Sequence, residues 1–142
     1  MKRFEYVVRI IGITVVLACL VCAGCAGPKP KPGEVFPCAA DTKIEQSIAP
    51  EAELTDFSCV VKEWSGSDTL HFNVSVKNIS DTPQRYRVNI FLDNGKAVGG
   101  LIPRKTKKGL VQPGQTASFV YPVKGMDRGP TSVTVMVKTM SP

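Results

Sequence analysis

The sequence predicts an all-β domain over residues 36–142: an antiparallel β-sandwich of six or seven strands with a disulfide-linked N-terminal lead-in. Three observations predict it. Apolar residues recur at every second position through several segments after Leu54. Clusters of Gly, Pro, Asn and Asp interrupt these segments about every 8–12 residues, the spacing of turns in a sandwich. Almost nothing in the same stretch has the period of a helix.

The elements follow in order. Phe36 to Glu53 reads as the lead-in, with Asp41 to Ile48 (DTKIEQSI) forming two helical turns, Asp41 as the cap and Pro50 ending them. Phe57 to Val61 is the first strand, and Gly66 opens the turn after it. Leu70, Phe72, Val74 and Val76 then alternate with His71, Asn73, Ser75 and Lys77, which places the first set on a buried face and the second in solvent. The cluster from Asn78 to Pro83 is a turn. Tyr86, Val88, Ile90 and Leu92 form the inward face of the next strand. Asp93-Asn94-Gly95-Lys96 reads as a tight hairpin turn with both central residues at positive φ. The returning strand is Ala97 to Ile102, and Gly99-Gly100 mark it as a bulge or a weak edge. Pro113-Gly114 sit where a type II turn wants them. Strands through Ala117, Phe119 and Tyr121 and through Val133, Val135 and Val137 complete the domain.

The N-terminal end has a different composition. Lys2, Arg3 and Arg9 precede a twelve-residue apolar run, Ile10 to Val21, and small residues lead to Cys25. That run has the length of a secretory signal core and falls short of the roughly 20 residues of a membrane-spanning helix. Val21-Cys22-Ala23-Gly24-Cys25 resembles a bacterial lipobox, with Cys22 where Leu is usual. Residues 1–24 are therefore expected to be a lipoprotein signal peptide and Cys25 the lipidated residue, with Cys19 a weaker choice. An ordinary cleaved signal and an uncleaved anchor extending to Ala26 are the alternatives. Residues 25–35 carry alternating Pro and Lys, which disfavours helix and strand alike and favours an extended spacer. With Cys19 and Cys22 leaving with the signal, Cys38 and Cys59 remain. In an oxidising compartment two such cysteines are expected to pair.

The chain carries a formal net charge of +6, unevenly placed. Residues 26–68 hold four basic and eight acidic side chains, a net of −4; from residue 69 onward there are eleven basic and three acidic, a net of +8. The densest basic segment is Arg104-Lys105-Thr106-Lys107-Lys108. With Lys124 and Arg128, expected at the same end of the sandwich, it forms a candidate site for an anionic partner. A solvated, solubilising loop is the competing reading.

Val74-Ser75-Val76-Lys77-Asn78-Ile79-Ser80-Asp81-Thr82-Pro83 resembles the strand–turn pattern of small immunoglobulin-like bacterial domains, the FxLYD type among them. The segments Phe91 to Val98 and Leu110 to Thr116 follow in the same order. A lipoprotein signal ahead of such a domain is similar to the YcfL-like periplasmic lipoproteins. The resemblance covers residues 54–123 and implies an immunoglobulin-like fold with no catalytic residues to carry over.

Catalytic chemistry has little to stand on. His71 is the single histidine, and no nucleophile elbow, phosphate loop or metal-ligand spacing is present. No cofactor, no metal and no nucleic acid are expected. The expected role is non-enzymatic: a periplasm-facing lipoprotein of the cell envelope, held by membrane lipid through its acyl anchor and docking to an envelope protein. Its suspected docking edge is Ala97 to Ile102. The alternative is direct binding of anionic lipid, lipopolysaccharide or cell-wall polymer through the basic loops. Ala26 after Cys25 favours the outer membrane over the inner by resemblance.

Overall fold

A computed structural model describes residues 29–104 and 109–140. The signal peptide and Cys25 lie outside the described residues, as do Lys105, Lys107 and Lys108. In chain order the strands are β1 (Val35–Phe36), β2 (Ile44–Ile48), β3 (Ala52–Trp64), β4 (Ser67–Asn78), β5 (Arg85–Leu92), β6 (Ala97–Ile102), β7 (Thr116–Val123) and β8 (Val133–Met140). They form two four-stranded sheets, one ordered β1-β3-β4-β7 and the other β2-β8-β5-β6. β4 pairs with β7 in one sheet while β5 pairs with β8 in the other. The successive hairpins β3–β4 and β5–β6 thus fall in different sheets, as in an immunoglobulin-like sandwich.

The alternating residues build the core. Leu70, Phe72, Val74 and Val76 from β4 face Val88, Ile90, Val135 and Val137 from the second sheet, and all of them are buried. Burying a side chain of this size contributes about 1.5–3 kcal/mol, so period-2 patterning supplies most of the driving force. Cys38 and Cys59 form the expected disulfide, 21 residues apart, and both are buried in the core.

Three local expectations are corrected. Asp41 to Ile48 is not two helical turns: a single 3-10 turn at Asp41–Lys43 leads into β2, which pairs in parallel with β8. Ile44 and Ile48 are four residues apart, and that spacing falls on one face of a strand as well as of a helix. Completing the sheet beside β8 decides between them, and with β1 it raises the strand count to eight. The turn after β5 has positive φ only at Gly95 (79°). Gly95 N–H donates to Leu92 O and Leu92 N–H to Lys96 O, the pattern of a three-residue loop closed by a left-handed glycine. The type II turn at Pro113-Gly114 forms as expected, with Gly114 at φ 76° and Gln115 N–H donating to Gln112 O.

The third correction is His71, which is 4% exposed rather than a surface histidine. β4 is a central strand, and His71 lies between Val60 and Pro122 of its neighbours. Its Nδ1 is 2.8 Å from the Thr69 carbonyl oxygen, so Nδ1 donates and Nε2 carries the free lone pair. Desolvation, with help from the Lys62 charge, lowers its pKa below the usual imidazole value.

Asn78 ends β4 fully buried and stitches the two loops at that end. Its Nδ2 donates to Thr82 O and Val111 O, and its Oδ1 accepts from Ser80 N–H and Ser80 Oγ. The Asn-x-Ser of the turn cluster is thus a hydrogen-bonded clasp.

Candidate functional site: the seam between β6 and β7

Each sheet leaves one edge beside the other's. Among the described residues β6 pairs only with β5, and β7 only with β4, so the outward main chain of both faces a common seam. β6 stays narrow there because of its glycines. A Cβ on Gly99 would run into the Val88 carbonyl, and one on Gly100 would sit 3.4 Å from the Tyr121 ring. A cleft of about 780 Å³ follows this seam, lined by the β6 backbone and by Lys62, Trp64, His71, Arg104, Phe119 and Tyr121. Trp64 is exposed on its rim.

The side chains form a graded series. The Arg104 guanidinium lies over the Phe119 ring at 4.9 Å, a cation–aromatic contact. Phe119 packs against Tyr121 with ring centroids 4.8 Å apart and planes tilted by 57°. Tyr121 is 4% exposed, and its hydroxyl has no hydrogen-bond partner among the described residues. Burial pushes its pKa far upward and the Arg104 charge opposes this only in part, so the phenol keeps its proton. An unpaired buried hydroxyl costs about 1–3 kcal/mol.

The sequence-predicted cations separate. Arg104 follows the end of β6, where Arg85 fixes the chain by donating to Pro103 O and Arg104 O. Lys124 lies at the start of β6, where Lys96 Nζ donates to its carbonyl. Six residues of strand, about 20 Å, separate the two positions. The expectation that Arg104, Lys124 and Arg128 share one end of the sandwich is therefore wrong. They are at opposite ends because β7 returns antiparallel to β4, carrying Lys124 back toward the β3–β4 turn. Arg128 is occupied locally, its Nε donating to Asp127.

The described chain begins at that second end. Lys29 Nζ lies 3.1 Å from Asp68 and 3.3 Å from Asp127, and Gly33 N–H donates to Val61 O. Among the described residues no three His, Cys, Asp or Glu side chains come together to hold a metal, and no helix is long and apolar enough to cross a membrane.

Sequence reasoning singled out the β6 edge but missed Tyr121, Phe119 and Trp64. The one signal for Tyr121 was its place in the alternation of Ala117, Phe119 and Tyr121; the glycine it faces in β6 is set by the fold. Comparison with family models, with curated proteins and with solved structures finds no match.

Proposed function

We propose that this chain is a lipid-anchored, non-enzymatic interaction module of the cell envelope, and that it docks a protein partner at the β6–β7 seam. The observation that carries the reading is the pair of open strand edges beside an aromatic cleft, since unpaired strand edges are templates for another chain. The position of Lys29 supports the arrangement. Lys29 is four positions along the chain from Cys25, a reach of at most about 14 Å. An acyl chain on Cys25 would therefore hold the Lys29 end against the lipid and turn the Arg104 end outward. This disfavours membrane binding through the Arg104 loop and favours a partner that approaches from the periplasm.

A photoreactive residue at Val98 or Leu101, in the full chain expressed in cells, tests the docking. Capture of one defined envelope protein is expected. No capture from either position, with the chain folded and exported, would overturn it.

A further inference from the structure

We infer that the seam takes an extended acidic segment of a partner protein, paired along β6 with one carboxylate received by Tyr121 and Arg104. The inference rests on the docking reading above and specifies the chemistry of what docks. Three observations converge on it. The free main chain of β6 asks for another backbone rather than a small molecule. Gly100 removes the side chain that would stand over the cleft floor, where the Tyr121 ring lies beside it, and Gly99 keeps the same strand close against the Val88 carbonyl of β5. Tyr121 lines a cleft whose charged residues, among those described, are Lys62 and Arg104 against Glu63, and its hydroxyl is a buried proton donor with no acceptor among the described residues. A donor kept protonated beside a guanidinium suits a carboxylate: it supplies the missing acceptor and offsets the Arg104 charge.

With the chain anchored at Cys25 as proposed, a lipid headgroup is disfavoured, because Arg104 is at the end of the sandwich away from Lys29. Trp64 on the rim offers an apolar surface to a neighbouring side chain of the same segment.

The test uses the full mature chain in detergent and two acetylated, amidated peptides. Both alternate threonine and valine; one has a central glutamate, the other a glutamine. Amide chemical shifts of residues 97–102 report pairing along β6, and titration gives affinity. The glutamate peptide is expected to shift these amides and to bind about tenfold more tightly than its counterpart, the size of one charge-assisted hydrogen bond. Tyr121→Phe and Arg104→Gln are each expected to abolish that preference with the spectrum otherwise intact. Equal binding of the two peptides would overturn the acidic requirement while leaving strand docking standing. Failure of both peptides to shift the β6 amides would overturn the inference, and cross-linking from Val98 would then judge the docking reading by itself. Saturation of Tyr121 by benzoate without any response in β6 would also overturn it, marking a small-anion site instead.

Discussion

Reducing the Cys38–Cys59 bridge is expected to lower stability by about 3 kcal/mol. The bridge spans 21 residues, and closing a loop of that length removes roughly this much conformational free energy from the unfolded chain. The native state gives little back on reduction. Cys59 is held in β3 by its pairing with both Phe36 and Phe72, and Cys38 stays packed in the core next to Gly129. The loss therefore lies almost wholly in the unfolded ensemble. For a folded unit of about 110 residues, 3 kcal/mol corresponds to a fall in Tm of about 13 °C. The assay is urea unfolding and calorimetry of the mature protein with and without reductant, with the Cys38→Ala, Cys59→Ala double variant alongside. The denaturant slope is also expected to rise on reduction, since an uncrosslinked chain exposes more surface. A Tm change below about 4 °C with an unchanged slope would refute the reasoning. It would mean that the lead-in is constrained in the unfolded state without the bridge.

Other outcomes follow from the same structure. Tyr121→Phe removes a buried donor that has no partner among the described residues, so it is expected to leave stability unchanged or raise it by about 1 kcal/mol in urea unfolding. A loss of the same size would show that the hydroxyl is satisfied in solution. Asn78→Ala strips hydrogen bonds from the Thr82 and Val111 carbonyls at once and is expected to cost about 3 kcal/mol by the same assay. The folded protein disfavours the imidazolium of His71, whose pKa lies below its unfolded value of 6.5. The unfolded chain then binds more protons as pH falls through 6.5, so stability drops from there until the folded pKa is reached, and is flat again below it. Tm measured from pH 7.5 to 5 is expected to fall in the wild type and to fall less in His71→Gln.

Much of this fold was legible because one force dominates it. β5, β4 from Phe72 onward and β8 up to Val137 bury every second residue, and a period of two is readable wherever a sheet has one apolar face. The disulfide was legible from cysteine count and an expected oxidising compartment, and the Pro113-Gly114 turn from backbone chemistry local to four residues. The misreadings share a cause. β2 and His71 are decided by neighbours far away in sequence: β8 recruits Ile44 to Ile48 as a strand, and Val60 and Pro122 flank the histidine. Lys124 and Arg104 look adjacent in a list of loops, and only the register of β4 with β7 sends them to opposite ends. The unpaired Tyr121 hydroxyl is invisible in sequence for the same reason. It follows from two sheet edges meeting across a pair of glycines.

The central claim is a module held to lipid at its Lys29 end with the seam turned outward, and intact mass spectrometry of the chain extracted from native membranes tests it most directly. The account predicts a protein that begins at Cys25, carries the mass of a diacyl or triacyl modification, and gains the mass of two hydrogens on reduction. An unmodified N-terminus, or a chain that still carries residues 1–24, would contradict it and leave the orientation of the seam without its anchor.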